Sequence, residues 1–236
     1  MAKNRALQQW RVEDSIELYG IRNWGAGYFD VSDAGEVVIC PQGPKGPQVS
    51  IPEIISGLRD RGHDMPVLLR VENILDSRIA NIHESFRKAI KNLSYTGAYR
   101  GVFPIKVNQQ QQVVEKIAQF GAQYHHGLEV GSKAELIAAV SLMLDREACI
   151  ICNGYKDEEF IDLGLQALRL GFNVFFVLEM PSELEVVLER SKALGVRPNI
   201  GVRAKLAVKA SGHWTDSGGE RSTFGLSPAQ IVDVVD

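Results

Sequence analysis

The chain has 236 residues, 45% of them hydrophobic and 23% charged, with a formal net charge of −3. This composition is typical of a soluble globular protein, and it gives no global attraction to nucleic acid or to an anionic membrane. The three cysteines are too few for a disulfide framework, and neither a signal-peptide core nor an apolar run of membrane-spanning length is found. We therefore expect a cytoplasmic protein that acts on a small molecule, with no nucleic-acid or membrane partner.

The first 64 residues differ in character from the rest. A short helix is predicted from Gln8 to Tyr19, followed by a Gly-rich, aromatic stretch. Residues 28–31 and 36–39 flank the sequence Ser-Asp-Ala-Gly, which predicts a β-hairpin. We predict two domains: a β-rich N-terminal extension, residues 1–64, and a second domain, residues 65–236.

A repeated alternation of strands and helices is predicted after Pro66. Six short apolar runs predict buried strands, at 67–71, 101–105, 127–130, 148–152, 173–178 and 199–203, and helical spacing fills the intervals. This alternation predicts an α/β fold with a parallel sheet covered by helices. No Gly-x-Gly-x-x-Gly follows the first run, so a (β/α)8 barrel is favoured over a nucleotide-binding open sheet. A barrel needs eight units, and about six are predicted, so we expect an incomplete barrel.

Each apolar run is followed by a polar or charged side chain. In a barrel, the carboxyl ends of the strands carry the reacting groups. Lys106 stands out because its apolar neighbours are expected to desolvate the amine, which lowers a lysine pKa and favours imine formation. Taken alone, the pattern is also that of ordinary solvated strand ends, and a surface lysine is the simpler interpretation of Lys106. The strand-end residues are Arg70, Glu72, Lys106, Asn108, Glu129, Asn153, Glu179 and Arg203.

Three other features have mainly structural interpretations. Cys149 and Cys152 have the C-x-x-C spacing inside an apolar strand, where they point to opposite faces, so we interpret them as core residues. The pair His125-His126 lacks a carboxylate at helical spacing, and no metal ligand is assigned. The segment 207–226 is a long loop that we interpret either as an active-site lid or as a disordered insertion.

Six segments carry a resemblance to one family. They are Gly-Val-Phe-Pro-Ile-Lys-Val-Asn-Gln (101–109), Gly-Leu-Glu-Val-Gly-Ser-Lys-Ala-Glu-Leu (127–136), Ile-Cys-Asn-Gly-Tyr-Lys-Asp (151–157), Tyr-Gly-Ile-Arg-Asn-Trp-Gly-Ala-Gly-Tyr-Phe (19–29), Gly-His-Trp (212–214) and Arg-Ser-Thr-Phe-Gly-Leu (221–226). These segments strongly resemble the biosynthetic arginine decarboxylases of bacteria and plants. The resemblance covers nearly the whole chain, and it implies a pyridoxal phosphate (PLP)-binding barrel of the alanine racemase type, as in ornithine and diaminopimelate decarboxylases.

The resemblance implies an enzyme that uses PLP, commonly with Mg²⁺, to convert L-arginine to agmatine and CO2 in polyamine (putrescine and spermidine) biosynthesis. By this resemblance Lys106 matches the Schiff-base lysine, Glu129 the acidic position beside the cofactor, and Arg203 the arginine near the phenolic oxygen of its ring. The full-length protein is expected to be a homo-oligomer, a dimer or a tetramer.

The resemblance also implies that part of the site lies beyond residue 236. The histidine that stacks on the ring, the Gly-rich phosphate loop and a Glu-Gly-x-Arg segment belong there in the family. We therefore expect the 236-residue chain to be a fragment that binds PLP poorly and is inactive alone.

Three alternatives stay open on the sequence. The first is another decarboxylase or a racemase of the same barrel group, such as a diaminopimelate or ornithine enzyme. The second is a non-catalytic homologue that regulates or pairs with an active decarboxylase, against which the presence of Lys106 argues. The third is a phosphate-binding barrel enzyme that does not use PLP.

Overall fold

A computed structural model describes residues 9–205 and 222–235. The chain divides into two compact units, residues 1–78 and 79–236, and the division falls inside a long helix that begins at Glu72. The domain boundary after residue 64 stays a prediction. None of the helices in the described ranges is both long and apolar enough to cross a membrane.

The first unit contains a small antiparallel sheet with strand order β1-β2-β3. The predicted hairpin is confirmed, because Phe29 pairs with Ile39 and the Gly35 amide donates to the Ser32 carbonyl at 2.8 Å. Helix α3 was not predicted, and the Ser50 hydroxyl caps its first turn. The elements are α1 (Val12–Leu18), α2 (Ile21–Gly25), β1 (Phe29–Val31), β2 (Val37–Ile39), β3 (Val49–Ser50) and α3 (Ile51–Asp60).

The second unit is built around a parallel sheet of five strands in the order β4-β5-β6-β7-β8. Neighbours in the sheet are also neighbours along the chain, and a helix joins each strand to the next, as in part of a (β/α) barrel. The predicted α/β fold class is therefore confirmed. The elements are α4 (Glu72–Asn92), β4 (Val102–Pro104), α5 (Gln111–Gly121), β5 (Gly127–Val130), α6 (Lys133–Leu142), β6 (Cys149–Cys152), α7 (Glu158–Arg169), β7 (Asn173–Leu178), α8 (Ser182–Leu194), β8 (Asn199–Val202) and α9 (Pro228–Val235).

The central strands β5, β6 and β7 carry the core of this unit. Phe176 of β7 is fully buried and packs against Gly164 of α7, where a Cβ atom would lie only 2.6 Å from the ring. Cys152 is also fully buried, and burial raises the pKa of its thiol to about 12. Cys149 is partly buried in the same strand, and both cysteines are free thiols. The prediction of a core residue is therefore confirmed for Cys152, whereas Cys149 is only partly buried.

One of the six predicted strands is wrong. Residues 67–71 have no regular secondary structure, and Val67, Leu68 and Leu69 are exposed. A β-strand needs a partner that accepts and donates its ladder hydrogen bonds, and no described strand pairs with this segment. An apolar, β-branched run is therefore not sufficient to form a strand here, and the parallel sheet has five strands in place of the six expected.

Two histidines form a close pair near the amino ends of the strands. The His83 Nε2 and His126 Nδ1 atoms lie 2.9 Å apart, and the His83 ring stacks on Tyr124 with centroids 4.8 Å apart. Burial, with a smaller contribution from His83, lowers the pKa of His126 to about 4. Burial also lowers the pKa of His83, assisted by the positive charges of Arg87 and Arg100. The fold therefore favours the neutral form of both rings.

The stability of the protein is expected to fall as the pH is lowered from about 6.5 towards about 4. In this window an unfolded histidine binds a proton whereas folded His126 does not, so protonation favours the unfolded state. Urea denaturation at about pH 7 and about pH 5.5 measures the effect. His126→Gln should reduce the difference between the two pH values. An equal pH dependence in the variant would contradict this explanation.

Candidate active site

The three residues predicted for the site lie at the carboxyl ends of parallel strands. Lys106 is in a single 3-10 turn (Ile105–Val107) directly after β4, Glu129 is near the end of β5, and Arg203 follows β8. The carboxyl ends of parallel strands meet at one edge of a sheet, and in barrels this edge carries the reacting groups. The structure brings Lys106 and Glu129 together directly and connects Arg203 to a different carboxylate.

The Lys106 amine lies beside the carboxylate of Glu129, with 3.4 Å between Nζ and Oε1. The Glu129 side chain is only 7% exposed, whereas the Lys106 side chain is 64% exposed. The expectation that the preceding apolar residues would desolvate Lys106 is therefore wrong. The 3-10 turn ends the strand before the lysine, so its side chain leaves the apolar wall. A reactive compound can reach the amine from solvent.

Glu129 is held from a second side as well. Asn153, which follows β6, donates from Nδ2 to the same Oε1 atom at 3.1 Å. A buried carboxylate needs hydrogen bonds and a positive partner to offset its desolvation, and these two neighbours supply both. Three of the predicted strand-end residues, Lys106, Glu129 and Asn153, thus form one cluster.

Arg203 contacts Glu179, the residue that follows β7. One guanidinium nitrogen lies 3.2 Å from Glu179 Oε1, and the same oxygen accepts the Gly154 amide at 2.9 Å. The Arg203 side chain is 50% exposed and Glu179 is 2% exposed. The guanidinium carbon lies 5.7 Å from the centre of the Phe224 ring. Glu179 Oε2 is buried and has no hydrogen-bond partner among the described residues.

A buried ion pair between Lys156 and Glu183 contacts both Gly154 and Glu179. Lys156 Nζ lies 3.2 Å from Glu183 Oε2, both side chains are almost completely buried, and Lys156 Nζ also donates to the Gly154 carbonyl at 2.6 Å. The Glu183 carboxylate accepts the backbone amides of Lys156 at 3.1 Å and of Glu179 at 2.8 Å. Glu183 lies in the first turn of α8, where a carboxylate also interacts favourably with the helix dipole.

The remaining predicted residues have other surroundings. Asn108 accepts the Gln110 amide on its side chain at 3.1 Å, just before α5 begins, so its contact is local. Arg70 lies in an irregular segment and Glu72 is the first residue of α4, both within the first unit. Most of the segment 207–226 lies outside the described residues. Within residues 9–205 and 222–235, no group of three or more His, Cys, Asp or Glu side chains could hold a metal ion.

This arrangement has the parts needed to hold a carbonyl compound. An exposed amine can form an imine, and the neighbouring carboxylate can stabilise positive charge on it. A guanidinium is a permanent donor that suits an anionic oxygen. The Lys106–Glu129 pair thus suits an aldehyde, such as that of PLP, and the Arg203 guanidinium suits an anionic oxygen.

Comparison with known proteins agrees with this chemistry. The profile of the family "Pyridoxal-dependent decarboxylase, pyridoxal binding domain" matches residues 79–236. The chain is 45% identical over 229 residues to the biosynthetic arginine decarboxylase of Gloeobacter violaceus, covering 97% of this chain and 36% of that protein. It is 47% identical over 228 residues to the biosynthetic arginine decarboxylase of Rhodopirellula baltica, covering 97% of this chain and 34% of that protein. The chain thus spans about a third of the length of these relatives.

Solved structures show the same fold. The biosynthetic arginine decarboxylase of Campylobacter jejuni superimposes with a TM-score of 0.79 at 35% identity, over 92% of this chain and 34% of that chain. Diaminopimelate decarboxylase from M. jannaschi superimposes with a TM-score of 0.64 at 21% identity, over 90% of this chain and 45% of that chain. At this identity the match supports the fold alone. The chain belongs to the family of pyridoxal-dependent decarboxylases, with residues 79–236 corresponding to the pyridoxal-binding domain.

Proposed function

We propose that this chain contributes the cofactor lysine and its surroundings to an enzyme that decarboxylates L-arginine to agmatine and CO2. The observation that carries the proposal is the accessible Lys106 amine beside the buried Glu129 carboxylate, at the carboxyl end of β4. The identity of 45% to a biosynthetic arginine decarboxylase over 97% of the chain supports the choice of arginine.

The described residues fit PLP, and each has a role that its position supports. Lys106 would hold the cofactor through its amine. It is the only lysine among the predicted strand-end residues. Glu129 would keep a positive charge next to the attachment point, since its carboxylate is buried and 3.4 Å from Nζ. Arg203 would donate a hydrogen bond to an anionic oxygen of the ring. Bound PLP supplies an electron sink for the electron pair that remains when CO2 leaves.

Other properties of the proposed enzyme rest on the family resemblance. We propose a cytoplasmic homo-oligomer, a dimer or a tetramer, that uses Mg²⁺ in addition to PLP and acts in polyamine biosynthesis. The described residues contain no cluster that would hold the metal. The Mg²⁺ requirement therefore stays a prediction, as do the oligomeric state and the cellular location.

An assay of substrate preference tests the proposal. We expect the intact gene product, meaning the chain with any further sequence its reading frame encodes, to release CO2 and agmatine from L-arginine. Its kcat/KM for L-arginine should exceed that for L-ornithine or meso-diaminopimelate by about 100-fold or more, because a site built to hydrogen-bond one polar substrate rejects those that leave its donors and acceptors unpaired. A preference for diaminopimelate or ornithine would favour the alternative enzymes of this barrel group.

The absence of activity on all three amino acids would favour a different alternative. A regulatory homologue would lack decarboxylase activity while still folding. The presence of Lys106 argues against that alternative, because a regulator without catalysis could dispense with this lysine.

A further inference from the structure

We propose that Glu179 is a positioning residue that holds the guanidinium of Arg203 at the cofactor-binding edge of the sheet. This role rests on the proposed function, in which Arg203 donates to the cofactor. The contact that carries it is the 3.2 Å hydrogen bond from Arg203 to Glu179 Oε1. The Arg203 side chain is 50% exposed, so many of its rotamers would direct the guanidinium into solvent without such a partner.

Glu179 is itself firmly anchored. Its backbone amide donates to Glu183 Oε2 at 2.8 Å, and its carbonyl accepts the Gly225 amide at 2.9 Å. Its Oε1 atom also accepts the Gly154 amide at 2.9 Å. Glu179 is therefore held by more contacts than the half-exposed guanidinium of Arg203. Because the Glu179 carboxylate is held in place, its hydrogen bond favours one orientation of the Arg203 guanidinium.

The negative charge of Glu179 is difficult to explain by folding alone. The side chain is 2% exposed, and its Oε2 atom has no hydrogen-bond partner among the described residues. A buried carboxylate oxygen without a donor is destabilising. A glutamine could accept the same hydrogen bonds from Gly154 and Arg203 on its amide oxygen. The charge is therefore useful mainly through its attraction for Arg203.

The same loop links Glu179 to the lysine. Gly154 donates to Glu179, and the preceding residue, Asn153, donates to Glu129 beside Lys106. Replacing Glu179 with Gln keeps a hydrogen-bond acceptor for Gly154, removes the charge and puts an NH2 group in place of one carboxylate oxygen. Glu179→Gln therefore separates the effect on Arg203 from an effect on this loop.

The test uses the intact gene product and PLP as the probe. We expect Glu179→Gln to weaken PLP binding, measured by fluorescence quenching, by about tenfold, because a charge-assisted hydrogen bond that orders a cofactor contact is weakened. The midpoint of the pH titration of the bound cofactor's absorbance should also shift. The thermal unfolding midpoint without PLP should be no lower than that of the wild type. Glu185→Gln, which removes an exposed carboxylate from the neighbouring helix α8, should change none of these values.

A double-mutant cycle decides whether Glu179 acts through Arg203. Arg203→Ala should weaken PLP binding, and adding Glu179→Gln to Arg203→Ala should change binding by no more than about twofold. Additive effects would overturn the proposal, as would a Glu179→Gln variant that unfolds or that binds PLP like the wild type. A wild-type protein that binds no PLP at Lys106 would overturn the proposed function itself, and with it this role of Glu179.

Discussion

Lys106→Ala is expected to reduce arginine decarboxylation by the intact gene product by about a thousandfold or more, because it removes the group that attaches the cofactor covalently. The loss should come from chemistry and not from unfolding. The Lys106 side chain is 64% exposed, and its buried partner Glu129 keeps the hydrogen bond from Asn153 when the lysine is removed. The free energy of unfolding should therefore fall by about 1–3 kcal/mol, and the protein should remain folded. Steady-state kinetics and urea denaturation of the same preparation measure the two effects separately.

Lys192→Ala is the matched control for this change. Lys192 is an exposed lysine near the end of α8, away from the carboxyl ends of the strands. Its replacement should leave both the rate and the stability close to the wild-type values. If Lys106→Ala retained a rate within about tenfold of the wild type, Lys106 would not be the attachment residue.

Lys156→Met is expected to lower the free energy of unfolding by about 3–5 kcal/mol. The substitution keeps the length and volume of the side chain but leaves the buried Glu183 carboxylate without its positive partner. It also removes the hydrogen bond from Lys156 Nζ to the Gly154 carbonyl. Because Gly154 and Glu183 both bond to Glu179, the loop after β6 should become less ordered as well.

Urea denaturation of the chain measures this loss, and Lys192→Met controls for the change of residue type. The control should shift the free energy of unfolding by less than about 0.5 kcal/mol, as expected for an exposed position. Equal urea-denaturation midpoints for Lys156→Met and Lys192→Met would show that the ion pair of Lys156 and Glu183 does not stabilise the fold.

The sequence predicted the alternation of strands and helices correctly because the buried parallel strands β4 to β8 read as short apolar runs. The segment 67–71 has the same composition, and it failed because a strand is defined by its partner and not by its own residues. Composition alone therefore predicts which segments can form a strand. It does not predict which of them are paired.

The site was only partly predictable for a related reason. Glu129 and Lys106 are placed by strand ends, so their proximity follows from the pattern of a parallel sheet. The ion pair of Lys156 and Glu183 joins a loop to a helix 27 residues later along the chain, and no periodicity relates the two positions. The exposure of Lys106 was missed because the turn at Ile105–Val107 redirects its side chain, and strand patterning does not contain that turn.

Peptide mapping tests most directly whether Lys106 is the cofactor lysine. The intact gene product is incubated with a slight excess of PLP, reduced with borohydride and digested, and the modified peptides are identified by mass spectrometry. We expect one dominant pyridoxyl-lysine at Lys106, which is lost in Lys106→Ala and retained in Lys192→Ala. If Lys106 carried no pyridoxyl group, or if the label were spread evenly over exposed lysines such as Lys192, Lys106 would not be the cofactor lysine.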